Sequence, residues 1–308
     1  MPRELQSLGA NLIQASYANS TLLFYNNCWA KLIKFLEKQN LSRALPLSPH
    51  AIALFLALLF QEGKSASTLR TNLSAISFKH KILGIHDPTK TFFLQRPLIG
   101  AKKSVLSLPK KLPISLTILK SLIEALPLIS PTPFDRIMFK ALFLVLYYAC
   151  LRIGEVAVSH SSNHTIRLAD VYVSGVTRSD KILLVLNSFK HSAVPSKLLL
   201  PIGEDKNNCP KEALINFLKV RPLTAGNLFI DASSKPITRY RVLKTLIKCL
   251  NRCGLDSSRY NTHSFRVGRA SDLAANGESE QIIRETGRWN SSAFLKYLRF
   301  DMFQLPPS

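Results

Sequence analysis

The chain has 308 residues, 46% of them hydrophobic, and a formal net charge of +22 from 41 Lys+Arg against 19 Asp+Glu. That is long enough for two domains and too apolar for a disordered chain, and the charge is too one-sided for solubility alone. The excess is no tail, since residues 1–104 carry 13 Lys+Arg against 4 Asp+Glu and residues 105–308 carry 28 against 15, so a polyanion gripped by both halves fits.

In chain order, residues 1–94 predict a helical domain. Tyr17, Leu22, Tyr25, Trp29, Ile33 and Leu36 recur at helical spacing and predict one helix over Gln14–Gln39. Ser48-Pro49 starts a helix that runs to Glu62-Gly63, and Ser67-Thr68 starts another that ends near Gly84. Asp87-Pro88 opens a last short piece. Residues 95–113, rich in proline, lysine and small side chains and without periodicity, predict a basic linker. A second domain fills 114–308. Its helices are expected at Leu116–Leu126, Phe134–Leu151, Pro210–Val220 and Thr238–Cys253, the last ended by Gly254. Between them the period changes to that of strands at Ala169–Val173, Lys181–Asn187 and Lys197–Ile202, a small antiparallel sheet. The fold class is therefore mainly α with one small antiparallel sheet in the second domain.

The five cysteines (28, 150, 209, 249 and 253) form no framework. Cys249 and Cys253 lie one helical turn apart without the second pair a zinc site needs, which predicts reduced thiols in an intracellular protein, nuclear if eukaryotic. His160 and His164 stand at i, i+4 with no third ligand, no Gly-rich phosphate loop is present, and the acids show no three-carboxylate pattern. No metal and no cofactor is expected. The opening MPRELQSLGA lacks a leader's apolar stretch, and the apolar runs at 51–60 and 137–151 are too short or too interrupted to span a membrane.

The polar residues at element ends carry the chemistry. Thr262–Arg299 begins with His263 and Arg266, i and i+3 on a helix; it breaks at Asn276-Gly277 and ends with Trp289 and Tyr297. Upstream, LRIGE (151–155) closes an apolar helix. Gly154 is expected to turn the chain and leave the Arg152 guanidinium free. Two arginines can clamp both non-bridging oxygens of a phosphodiester and stabilise the extra charge of a pentavalent phosphorane. Lys190, in the strand turn NSFKHSAV, could reach into a groove, with Lys181 and Lys197 as neighbouring alternatives and His191 beside it. His263 could exchange a proton, Trp289 offers an indole N–H and a flat face, and Tyr297 is the nucleophile candidate. Arg70, Lys79, Arg239, Arg241 and Lys244 sit on basic helix faces and are candidate DNA contacts.

Arg in LRIGE, Lys in a strand turn, HSFR, GRW and a following tyrosine, in that order, resemble the tyrosine recombinase (phage integrase) family. The helical first section resembles that family's SAM-like core-binding domain, followed by its α+β catalytic domain. GRWNSSAFLKYLR and STLRTNLSAISFKHKILG are especially similar to recombinases of DIRS-type and related eukaryotic retroelements. The resemblance implies that Arg152 and Arg266 hold the scissile phosphate, Lys190 protonates the leaving 5′ oxygen, and His263 acts in acid–base transfer. Trp289 would stand where a second histidine is common, Glu155 would support Arg152, and Tyr297 would form a 3′-phosphotyrosyl link. Many members place nine residues between the His/Trp position and the tyrosine; here the step from Trp289 is eight. The implied function is site-specific DNA recombination or integration on duplex DNA, by a clamp that assembles as a tetramer on two sites. A non-catalytic DNA-binding protein and a type IB topoisomerase are the rival readings.

Overall fold

A computed structural model describes residues 3–104, 111–159, 165–173, 182–187, 195–200, 208–296 and 298. The chain divides into two compact units, Met1–Leu108 and Pro109–Ser308.

The first unit is all helix: α1 (Arg3–Ala15), α2 (Asn19–Lys38), α3 (Pro49–Gln61), α4 (Ala66–Ile82) and α5 (Phe92–Ser104). Its core is built from Leu32 and Leu36 of α2, Phe55 and Leu56 of α3, Leu73 and Ile76 of α4, and Leu94 and Leu98 of α5. Two expectations are corrected. The single helix over Gln14–Gln39 is two helices, because Ser16 turns its hydroxyl back to the Ile13 carbonyl at 2.6 Å and ends the first. Tyr17, in the break, packs edge-on against Phe78 at 4.9 Å. The linker expected over 95–113 is helical to Ser104. Leu94, Leu98 and Ala101, at i, i+4 and i+7, are buried and outweigh Pro97, which lies in the second turn, where its missing N–H removes one intrahelical bond.

The second unit is arranged around α7 (Pro133–Tyr148), whose residues Phe139 and Ala141–Tyr148 are all buried. It packs against α6 (Leu116–Ile129), α9 (Pro210–Val220) and α11 (Ser264–Ala275), and α10 (Arg239–Arg252) packs on α6. The remaining helices are short: α8 (Ile153–Val156) and α12 (Glu280–Gly287). A three-stranded antiparallel sheet runs in the order β1 (Val171–Val173), β2 (Ile182–Leu186), β3 (Ser196–Leu199), with Leu184 opposite both Val171 and Leu198. Alternate residues of β2, Ile182, Leu184 and Leu186, are buried, so one sheet face closes the core. Among the described residues no helix is long and apolar enough to cross a membrane.

The turn that leaves α7 differs from expectation. Cys150, not Gly154, carries the left-handed conformation, at φ 48°. Gly154 serves space instead: a Cβ there would lie 2.5 Å from Nη2 of Arg239.

In the first unit, Asp87 caps the turn that leads to α5. Burial alone would raise its carboxyl. Hydrogen bonds from Ser77 Oγ (2.6 Å), Thr89 Oγ1 (2.7 Å) and the Thr89 N–H (3.0 Å), with Lys81 nearby, outweigh burial and hold the pKa down at about 2, against 3.8 for a free carboxyl. A folded-state pKa below the unfolded one stabilises at pH above the unfolded value, and this is lost as pH falls through the folded value. With Trp289→Phe leaving Trp29 as the sole tryptophan, acid unfolding of this unit followed by fluorescence is expected to steepen between pH 3.8 and about 2. Asp87→Asn is expected to flatten that segment and to lower stability at pH 7. An unchanged acid slope in the variant would show that Asp87 is not the group responsible.

Candidate active site

The site starts where α7 ends. After the left-handed Cys150, Arg152 is the N-terminal cap residue of α8, and Glu155 closes the same turn. The Glu155 carboxylate is buried and shared. Its Oε2 accepts the Arg152 backbone N–H at 2.8 Å and Nη2 of Arg288 at 2.7 Å, and its Oε1 faces Nη1 of Arg152 at 3.3 Å. The Arg152 side chain keeps 23% of its surface open, whereas Arg288 keeps 5%. The guanidinium expected to be free is therefore partly held, by Glu155.

The second half comes from α11 and the turn after α12. Arg266 is fully buried. Its Nη1 donates to the Cys150 carbonyl and its Nη2 to the Gly287 carbonyl, while its Cζ lies 4.4 Å from the centre of the Trp289 ring. The chain reaches that arrangement through Gly287-Arg288-Trp289. Arg288 takes the left-handed conformation (φ 53°, ψ 50°), which costs an L-residue about 1–2 kcal/mol. Gly287 is required because a Cβ there would sit 1.7 Å from a Trp289 ring carbon. The turn sends Arg288 to Glu155 and Trp289 to Arg266. Trp289 joins Cys150, Ala270, Leu273, Ile283 and Phe294 in a small separate core, with Leu298 packed against it. Burial lowers the Arg288 pKa, Glu155 opposes this, and the charges of Arg266 and Arg152 lower it further, so the three guanidinium groups feel one another. Burial likewise pushes the Cys150 thiol up, against the pull of Arg266, Arg288 and Arg269.

Arg152, Glu155, Arg266 and Trp289 are thus brought together. His263 caps α11 and is exposed, with its N–H on Asn261 Oδ1 at 2.8 Å; it does not share the buried face of Arg266. Lys190 and Tyr297 lie outside the described residues; a 3-10 turn, Ser292–Lys296, leads to the latter. Of the candidate DNA contacts, Arg70 and Lys244 are exposed. Lys79 lies over Trp29 at 5.8 Å, and Arg239 packs on Gly154. Arg241 is paired with Asp135 at 2.6 Å and Asp231 at 3.4 Å, which brace α10, and its side chain stays 35% exposed. Sequence reasoning passed over Arg288, whose signal was its place inside the quoted GRW. It also passed over Asp272, which accepts hydrogen bonds from the Tyr147 hydroxyl and the Leu116 N–H and so ties α11 to α7 and α6. Burial and the Asp272 charge push the Tyr147 pKa up.

No family model matches the chain. In sequence it is similar to the tyrosine recombinase XerC of Halalkalibacterium halodurans, 24% identical over 277 residues that cover 89% of this chain and 84% of that protein. The XerC of Rickettsia prowazekii is 26% identical over 297 residues, covering 93% and 88%. In fold it is similar to a lambda integrase tetramer bound to a Holliday junction, with TM-score 0.63 and 15% identity over 99% of this chain and 78% of that one. The Tn1549 transposon integrase in complex with circular intermediate DNA gives 0.62 and 16%, over 96% of each chain. The chain therefore has the fold of the integrases, a helical unit followed by a mostly helical unit with a small sheet, and is similar in sequence to tyrosine recombinases.

The placing of Arg266 depends on how closely α11 meets the chain before α6. The Ile114 N–H bonds the Ser264 carbonyl at 3.0 Å, and a Cβ on Gly268 would lie 1.7 Å from the Ile114 carbonyl oxygen. Gly268→Ala must move backbone, and a loss of about 3 kcal/mol is expected in denaturant unfolding. Gly100→Ala, a helical position with open space around its Cβ, is expected to gain about 0.5–1 kcal/mol. Equal effects of the two substitutions would contradict the close approach.

Proposed function

We infer that this protein cuts and rejoins duplex DNA at specific sites through a covalent tyrosine intermediate. The observation that carries the reading is that Arg152 and Arg288 share the single carboxylate of Glu155 while Arg266 is buried on the carbonyls of Cys150 and Gly287, with Tyr297 nine residues after Arg288 in the chain. Three fixed positive charges against one negative make a site for an anion whose charge grows in the transition state, and they do so without a metal ion. In the reaction the Tyr297 oxygen attacks phosphorus and loses its proton towards His263. The P–O5′ bond breaks, and the leaving oxygen takes a proton from Lys190. A 5′ hydroxyl from a second strand reverses these steps and exchanges the strands; the phosphotyrosyl link conserves the bond energy. Arg152, the more open guanidinium, meets the phosphate first; Arg266, covered in this state, must be exposed as DNA binds.

The substrate we propose is double-stranded DNA, gripped mostly through its phosphates and hence with steep salt dependence. The basic charge of both halves of the chain supports this. Exchange between two duplexes needs four cleavages, and four copies on two sites supply them. The motifs GRWNSSAFLKYLR and STLRTNLSAISFKHKILG support a mobile-element recombinase of the DIRS-type group, acting inside the cell and in a eukaryote in the nucleus.

The test is a nicked suicide duplex of the element's own end, incubated with the protein in EDTA. A denaturation-resistant protein–DNA adduct is expected, lost in Tyr297→Phe. Binding without any adduct would favour a DNA-binding protein that keeps the fold, and an adduct that survives Tyr297→Phe would mean another nucleophile. A requirement for magnesium would count against arginine as the charge stabiliser.

A further inference from the structure

We propose that Arg288 is a positioning residue: through Glu155 it sets the Arg152 guanidinium for the phosphate and ties that pocket to the segment that carries the nucleophile. The inference rests on the recombinase reading above and adds to it a residue to which neither composition nor motif gave a role.

Glu155 is buried, and its two oxygens serve three donors: the Arg152 N–H at 2.8 Å, Arg288 Nη2 at 2.7 Å and Arg152 Nη1 at 3.3 Å. The shorter contact goes to Arg288 and the longer to Arg152. Two guanidinium groups on one carboxylate leave a net positive charge, and it resides on the more exposed of the two, Arg152. Remove Arg288, and the buried carboxylate is left to Arg152 alone. It would then pull that side chain inward and neutralise it, and an incoming phosphate would have to compete with Glu155.

Geometry adds the second link. Arg288 stands in a left-handed turn between Gly287, whose carbonyl holds Arg266, and Trp289, whose ring covers Arg266. Phe294 and Leu298, which flank Tyr297 in the chain, pack into the same small core as Trp289. The ion pair between Arg288 and Glu155 therefore fastens the chain that leads to the tyrosine onto the turn that bears Arg152, 133 residues apart in sequence. Arg288 lies beneath the surface, with 5% of its side chain exposed, and so acts on the rate of attack through Glu155.

The experiment measures single-turnover adduct formation on the suicide duplex, together with DNA affinity and thermal stability. It compares the wild type, Arg288→Met, Arg288→Lys, Glu155→Gln and the double variant Glu155→Gln/Arg288→Met. Arg288→Met is expected to slow adduct formation about 10- to 100-fold while DNA affinity holds. Arg288→Lys, which keeps the charge, is expected to restore part of the rate. The double variant is expected to be no slower than the slower single, because both substitutions break one unit. Should Arg288→Met not fold, the Arg288→Lys and Glu155→Gln rates decide: both must fall at unchanged affinity. Wild-type rates in the Arg288 variants, or losses that multiply in the double variant, would overturn the inference and leave the recombinase reading intact. A wild-type protein without a Tyr297-dependent adduct would overturn the recombinase reading itself.

Discussion

A guanidinium that has no access to water is the constraint on which the catalytic unit depends. Arginine does not shed its proton in a protein, so burying Arg266 obliges the fold to surround a permanent charge with acceptors. It finds them in the carbonyls of Cys150 and Gly287, at the end of α7 and the end of α12, and in the face of Trp289. One side chain thus joins three stretches distant in sequence. Removing the charge would leave two buried carbonyls without their donor, at about 1–3 kcal/mol each. The left-handed conformations fall at the two ends of this strut, one on Cys150, whose carbonyl it holds, and one on Arg288, the residue after Gly287. Strain there is offset by what Arg266 gains.

The same feature has an electrostatic consequence. Arg152, Arg266 and Arg288 would repel one another, and Glu155 is the acid that bridges two of them. A pocket with surplus positive charge, held in place by packing and backbone geometry, is preorganised for an anion and need not rearrange when charge develops on a phosphate. Because Arg266 is covered, an anion could reach its guanidinium only by displacing the Cys150 or Gly287 carbonyl.

Much of this was legible in the sequence, and the failures have physical causes. Residue types with fixed spacing read well: α9 has the predicted ends, and the three strands fall within the segments rich in Val, Leu and Ile. Boundaries failed where local propensity met tertiary packing. Pro97 and the lysines around it argue for a linker, but burial of Leu94, Leu98 and Ala101 makes a helix. The chain turns at Cys150 although Gly154 is the better turn former. Roles of charged residues read least well, since a sequence does not show which acid a base will meet. Arg241 looked like a DNA contact and is held by Asp135 and Asp231. Arg221 looked like nothing and donates to the carbonyls of Leu228, Pro222, Thr224 and Asn227, closing the loop after α9. Lys190 and Tyr297 lie outside the described residues.

The eight-residue step from Trp289 to Tyr297 takes on a different meaning once the turn is known. Counting residues along a helix assumes a regular path, in which one residue more or less rotates the tyrosine by about 100°. The path here is not regular. It leaves α12 through a left-handed residue, and a 3-10 turn anchored by Phe294 follows. Adjacent residues of that turn are sent to different partners, Arg288 to Glu155 and Trp289 to Arg266, so either can serve as the origin of the count. A nine-residue step back from Tyr297 reaches Arg288. The turn is held by the small core beneath it, where Trp289, Phe294 and Leu298 meet Cys150 and Ala270. A residue inserted or deleted between Trp289 and Phe294 would displace one of these anchors, whereas the ion pair and the strut would hold the other end of the turn in place.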